Sequence, residues 1–289
     1  MIHVTSNDGV SVAVHELAGA PGLPPLLISH ATGFHAHCYV PIARALGARF
    51  QCFALDFRGH GETAPVPDRT VDWSHFGDDA VAVAETIAPD GGLVGFGHSM
   101  GGAALLMAAH RRPELFSRMT LFEPIAHLPV GTNLTDEELR KIPIIAGAMR
   151  RRSRFASFDD AYQNYRGKPP MSLMVDEVLR DYVDYGFHTI VDEHDQPAVE
   201  LRCSPEVEAG IFMTGRHNGV WPLLGEIAVP ATVIGGHVEQ MQPSAGTEAI
   251  ANELPNGEYL LLDHQTHFGP FSHPDEVASI IARECPATP

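Results

Sequence analysis

Six residues, Gly97-His98-Ser99-Met100-Gly101-Gly102, constrain this chain more than any other stretch. They follow a short apolar run at 93–96 and precede small and apolar residues at 100–109, so a strand leads into the turn and a helix leads out. A serine lifted on so sharp a turn needs neighbours without a Cβ, and glycine stands at 97 and 101. The helix starting at Met100 aims unpaired N–H groups at the surroundings of the serine oxygen and favours negative charge there. Ser99 is the candidate nucleophile; a plain strand-to-helix turn is the bland alternative.

The flanking sequence predicts an α/β fold. Strands are expected at 11–15, 26–29, 50–55, 93–96 and 119–122. Trp73, Phe76, Ala80, Val83 and Ile87 step by three or four and predict a helix over 72–87. Strands alternating with helices imply a mostly parallel central sheet flanked by helices. From 125 to 222 the rhythm breaks: no buried strand stands out, and helices are expected at 136–152, 159–165, 175–185 and 205–214. It resumes with strands at 231–235 and 259–262 and helices at 244–253 and 274–285. Residues 1–124 and 223–289 are therefore expected to form the core, and 125–222 a helical cap over the carboxyl edge of its sheet.

A serine hydroxyl needs a base at neutral pH, and the base needs an orienting acid. The final strand is followed by Asp263-His264-Gln265-Thr266-His267-Phe268-Gly269-Pro270. His267, just before a Phe-Gly-Pro turn, is the expected base, and His264 the loop histidine with a local hydrogen bond. For the acid, Glu239 follows the 231–235 strand, and its rival Glu123 ends the preceding core strand in Leu121-Phe122-Glu123-Pro124. Whichever loses can simply hold a loop by accepting backbone hydrogen bonds. Two oxyanion donors are expected: the N–H of Met100, and that of Thr32 in His30-Ala31-Thr32-Gly33-Phe34, with Ala31 and Gly33 open as alternatives and His30 bracing the loop. Phe34 and His98 beside the site, and Phe212 and Trp221 from the cap side, are candidate substrate contacts, although cap aromatics also serve simply to pack helices together.

Charge excludes other classes. Lys and Arg number 19 against 36 Asp and Glu, a net charge of −17 that repels nucleic acid and anionic membrane surfaces. Arg150-Arg151-Arg152-Ser153-Arg154 reads as a solvated helix face, and is the one obvious place for an anionic substrate group. Cys38, Cys52, Cys203 and Cys285 are far apart without a CxxC pair, so reduced thiols and a cytoplasmic protein are expected. The N-terminus lacks a basic, then apolar leader, no apolar run is long enough to span a membrane, and Asn133-Leu134-Thr135 reads as a coincidental sequon. His35 and His37 could chelate a metal only with further ligands, so neither metal nor cofactor is expected. The partner is a small-molecule substrate, and the chain a monomer or homodimer.

Four stretches, His30-Ala31-Thr32-Gly33, Asp56-Phe57-Arg58-Gly59-His60-Gly61, Gly97-His98-Ser99-Met100-Gly101-Gly102 and His267-Phe268-Gly269-Pro270, resemble the α/β-hydrolase superfamily, in particular its capped, serine-dependent, esterase-like members. The resemblance runs over nearly the whole chain. It implies Ser99 as nucleophile, His267 as base, Glu239 at the usual acid position, Thr32 and Met100 as backbone donors, and no chemistry for Asp56 or Arg58. Three departures stand out: Glu239 where aspartate is commoner, Ala31 where glycine is frequent, and extra histidines at 35, 37 and 237. The expected reaction is hydrolysis of a small to medium apolar ester or lactone through an acyl-enzyme. The alternatives are carbon–carbon bond hydrolysis of a diketone by the same triad, and a ligand-binding protein on the same fold. A serine at position 99 argues against dehalogenase or epoxide hydrolase chemistry, which in such relatives uses a carboxylate.

Overall fold

Two antiparallel strands, β1 (Ile2–Thr5) and β2 (Ser11–Ala18), open the chain and form one side of its sheet. The computed structural model describes residues 1–65, 71–126, 134–239 and 242–284. The parallel part of the sheet follows: β3 (Pro25–Ser29), α1 (Val40–Leu46), β4 (Gln51–Asp56), α2 (Ser74–Ile87), β5 (Leu93–His98), α3 (Met100–Arg111) and β6 (Phe116–Phe122). All six residues of β5 are buried, as expected of a central strand covered on both faces. Helix α3 is buried at every position from Met100 to Ala109, which explains why its sequence is apolar or small all round.

The segment after β6 carries α4 (Asp136–Leu139), α5 (Pro143–Met149), β7 (Arg154–Phe155), α6 (Phe158–Arg166), α7 (Asp176–Gly186), β8 (Phe187–Val191), β9 (Pro197–Leu201) and α8 (Pro205–Thr214). The core resumes with β10 (Ala231–Gly235), α9 (Ser244–Glu253), β11 (Gly257–Leu261), α10 (Gly269–Ser272) and α11 (Pro274–Glu284). Strand order is β1-β2-β4-β3-β5-β6-β10-β11, parallel from β4 onward. Apolar residues of α2, α3 and α9 pack on one face of the sheet and those of α1 and α11 on the other. The carboxyl ends of β3, β4, β5, β6 and β10 thus open on one edge. No helix among the described residues is long and apolar enough to cross a membrane.

Several elements differ from expectation. The inserted segment is not purely helical: β7, β9 and β8 form a three-stranded antiparallel sheet. Its strands are only partly buried and β7 is two residues long, so none reads as a buried run. The helix expected over 136–152 is two, because Pro143 occupies the first turn of α5 and cannot continue α4. The arginine cluster consequently lies beyond α5 and is not a helix face: Arg151 pairs with Glu208, Arg152 lies over the Phe155 ring and Arg154 pairs with Glu200. Strand β1 and helix α1 were not expected.

Candidate active site

Ser99 sits between β5 and α3 with φ 56° and ψ −116°, a backbone conformation that few non-glycine residues adopt. Its N–H donates to Phe122 O at 3.0 Å and its carbonyl accepts from Ile125 N at 3.2 Å, so the turn is tied to the end of β6. A Cβ at position 101 would come within 2.0 Å of Ser29 O, and one at 97 within 2.6 Å of Gly102 Cα. Glycine at both positions is thus required by close backbone approach.

His267 lies in the loop after β11, with Nδ1 2.6 Å from Oε2 of Glu123. Glu123 is fully buried, takes φ 43° at the end of β6, and also accepts the Gly236 N–H on Oε1 at 2.8 Å. Glu239, the acid expected first, is exposed in the loop after β10, where its N–H donates to Ser244 Oγ at 3.2 Å. The structure therefore puts Glu123, the rival, against the histidine. Strands β6 and β10 are neighbours, so both strand ends face the same edge, and the buried one reaches His267 without solvent between them. Gly236 carried a signal that sequence reasoning did not use. A Cβ there would stand 2.9 Å from Glu123 Oε1, so the glycine leaves room for the carboxylate. His264 instead meets Glu276 at 2.8 Å on the surface.

In the loop after β3, Ala31 N donates to Tyr39 Oη at 3.1 Å, Gly33 N to His60 Nε2 at 3.0 Å and Phe34 N to Ala31 O at 3.1 Å. Thr32 N is left without such a partner among the described hydrogen bonds, which favours it over Ala31 and Gly33 as an oxyanion donor. Met100 is the first residue of α3, where helical N–H groups have no intrahelical acceptor.

The four candidate substrate contacts separate. Phe34, in the loop after β3, is half-buried among Tyr182 of α7, Phe268 and Phe271, with ring centroids 4.5–5.9 Å apart, and so joins that loop to the inserted segment and the His267 loop. His98 is closed to substrate: it is buried, with Nδ1 2.9 Å from Tyr39 Oη and Nε2 2.9 Å from His267 O. Phe212 packs with Leu139, Ile145 and Ala148 between α5 and α8, and Trp221 packs on the core, so both serve apolar packing. From the cap, Glu208 Oε1 comes to 2.6 Å from where a Gly33 Cβ would stand, and Arg151 holds that carboxylate through two 2.7 Å hydrogen bonds. Sequence reasoning did not single out this pair.

Asp56 and Arg58 brace the framework. Asp56 accepts from His15 Nε2 and Ala36 N at 2.8 Å and from Glu62 N at 2.9 Å. Those contacts hold its carboxyl below the usual range despite its burial. Arg58 bridges Asp79 and Asp8 at 2.6–3.3 Å. His35 and His37 line a cavity of about 340 Å³ with His15, Asp56, Glu62, Tyr185 and Met1, a lining that includes neither Ser99 nor His267. No group of three or more potential ligands that could hold a metal gathers among the described residues.

Comparison with known proteins agrees with this architecture. The model of the alpha/beta hydrolase family matches residues 26–280. A pimeloyl-[acyl-carrier protein] methyl ester esterase of Xanthomonas campestris is 23% identical over 273 residues, covering 92% of this chain and 96% of that protein. A monoglyceride lipase of Mus musculus is 36% identical over 110 residues, 36% of each chain. Among solved structures, E-2-(acetamidomethylene)succinate hydrolase matches with a TM-score of 0.77 at 17% identity, over 97% of both chains.

Proposed function

The chain belongs to the alpha/beta hydrolase family and is an enzyme, and from that premise we propose that it hydrolyses a carboxylic ester or lactone through an acyl-enzyme on Ser99. Ser99 Oγ attacks the carbonyl carbon while His267 Nε2 takes the hydroxyl proton. Glu123 stabilises the imidazolium, and the N–H groups of Met100 and Thr32 receive the oxyanion. Collapse of the tetrahedral intermediate breaks the ester C–O bond, and the leaving alcohol takes the proton from His267. Water then attacks the acyl carbon, His267 accepts its proton and returns it to Ser99, and the carboxylic acid departs.

The observation that carries this reading is the 2.6 Å contact between His267 Nδ1 and the buried Glu123 carboxylate, one strand away from the strained Ser99 turn. A carboxylate on Nδ1 keeps the proton there and leaves Nε2 free to act as a base. Relatives named for cleaving a methyl ester and a monoglyceride support ester chemistry. The aromatic group of Phe34, Tyr182, Phe268 and Phe271 beside the oxyanion loop supports a small to medium apolar substrate.

The test is intact mass after fluorophosphonate treatment of the wild type, Ser99→Ala and His267→Ala, followed by turnover of p-nitrophenyl esters of increasing acyl length. One adduct that requires Ser99 is expected, with Ser99→Ala reducing turnover by at least ~10⁴-fold. Folded wild type that forms no adduct would overturn the proposal. Cleavage of a vinylogous diketone with every ester untouched would move it to carbon–carbon bond hydrolysis.

A further inference from the structure

Three histidines are tied to the loop after β3, His30 within it, His60 through Gly33 N and His98 through Tyr39, and the donor or acceptor character of their backbone partners dictates where each carries its proton. The carbonyl of His267 can only accept, so His98 Nε2 must donate to it across 2.9 Å. His98 is buried, and burial together with the nearby His267 holds it neutral, well below the usual imidazole range. Its Nδ1 is then bare, so Tyr39 Oη donates to it across 2.9 Å, and the tyrosine oxygen in turn accepts the Ala31 N–H. One unidirectional chain therefore runs from Ala31 through Tyr39 and His98 to His267.

The other two histidines hold the adjoining peptides. Phe57 N–H can only donate, so His30 Nε2 accepts it at 2.9 Å, and Nδ1–H donates to the Ala31 carbonyl at 2.8 Å. Likewise Gly33 N–H donates to His60 Nε2 at 3.0 Å, and His60 Nδ1–H donates to Arg58 O at 3.2 Å. The Ala31 carbonyl belongs to the same peptide as the Thr32 N–H. A hydrogen bond to that carbonyl polarises the peptide and strengthens donation from its N–H.

We propose that His30, His60, His98 and Tyr39 are positioning residues, a frame that fixes the Thr32 N–H for the oxyanion and ties the oxyanion loop to the backbone of the base. This deepens the hydrolase reading above and rests on it for the catalytic effect. None of the four touches the reacting atoms. His30 acts through the peptide that carries the Thr32 N–H, Tyr39 and His60 through the peptides on either side of it, and His98 through the carbonyl of the base. The frame uses neutral imidazoles because each must accept at one nitrogen and donate at the other, which imidazolium cannot do.

The experiment compares Tyr39→Phe, His98→Met and His98→Gln in otherwise intact protein, each checked for folding by thermal denaturation. Tyr39→Phe and His98→Met are expected to lower kcat by ~10–100-fold with KM little changed, and to slow fluorophosphonate labelling in parallel. His98→Gln, whose amide can accept at oxygen and donate at nitrogen, is expected to recover most of the loss. Because the chain acts as a unit, the Tyr39→Phe and His98→Met double variant should be no slower than the slower single variant. Unchanged kcat in folded variants, losses that multiply in the double variant, or no rescue by glutamine would overturn the proposal. Imidazole ¹⁵N spectra of the wild type give a readout independent of turnover. His98 should be the neutral Nε2–H tautomer, and His30 and His60 the Nδ1–H tautomer. Opposite tautomers would refute the frame, whereas predicted tautomers in a protein inert to esters and phosphonates would refute the hydrolase reading instead.

Discussion

The core and the segment inserted after β6, the proposed cap, differ in where they bury histidine. His15, His30, His35, His60 and His98 are all buried in the core, whereas His188, His194 and His217 of the cap are half-buried or exposed. His30, His60 and His98 meet backbone groups of fixed polarity, so each proton has one place. The cap combines apolar packing with ion pairs such as Arg154–Glu200, Arg180–Asp159 and Lys141–Glu137, which water and salt screen. The loop after β3 rests on the first kind of contact, whereas the second kind ties elements of the inserted segment to one another.

Acid should break this contrast most strongly. Burial holds His30 at about 3 and His37 and His60 at about 4, and pushes His35 and His98 down as well. An unfolded chain takes protons at these sites near pH 6.5 while the folded chain refuses them. Their contribution is therefore complete above pH 6.5 and is lost as pH falls, by up to about 1.4 kcal/mol per pH unit each for the fully buried His30 and His60 and by less for the partly exposed His37. Asp181 in α7 opposes this: burial, then Glu177 and Asp184, raises its carboxyl to about 6. Its contribution is complete below the unfolded value and is lost as pH rises through 6. Urea unfolding from pH 7.5 to 4.5 should show stability falling as pH drops below about 6.5, more steeply in Asp181→Asn. A flat profile would mean that the core histidines titrate freely.

Next in size is the acid of the site. Glu123→Gln should lower kcat by ~10³–10⁴-fold, because an amide cannot hold the imidazolium and can stabilise the wrong tautomer. Glu239→Gln, at an exposed loop position, should stay within about twofold of wild type. Initial ester hydrolysis rates decide it, and the reverse order would restore Glu239 as the acid.

That pair of glutamates marks where the sequence stops being legible. Strands β3, β5 and β10 read as apolar runs because both faces of the sheet are covered, and Ser99 and His267 stand out by motif and chain order. Choosing between two carboxylates at neighbouring strand ends depends on which side chain is buried and how the chain turns after Phe122, and no local pattern carries that. In the inserted segment, β8 alternates between partial burial and exposure after Phe187, β9 buries Ala198, Val199 and Leu201 around a half-buried Glu200, and β7 pairs with β9 across more than forty residues. A local hint was present: Asp192 Oδ1 accepts from His194 N and Gln196 N at 2.8 Å, the kind of side-chain turn that closes a hairpin.

A smaller effect is expected at the Arg151–Glu208 pair, where a carboxylate of the inserted segment is buried. Glu208 is 4% exposed and lies over Gly33, and Arg151 closes a fork around it. Arg151→Met should cost about 2–4 kcal/mol, since it leaves a buried carboxylate unpaired, and adding Glu208→Gln should return much of it. Equilibrium urea denaturation measures both. Equal losses in the single and double variants would mean that packing of the arginine stem, not its charge, matters there.

The smallest effect sharpens the comparison most, because it lies where the two regions meet. Arg44 of α1 donates through both terminal nitrogens to Glu177 of α7, in a pair that joins core to cap. Its side chains are 60% and 45% exposed, so water already solvates both charges. Apolar contact does run across this interface: Tyr182 of α7 packs on Phe34, and Phe34 on Phe271 of α10. If that packing holds the cap down, Arg44→Ala should cost less than about 1 kcal/mol, and the wild-type unfolding midpoint should change little between low and high salt. A loss above about 2 kcal/mol that vanishes in high salt would mean that charge fastens the cap to the core.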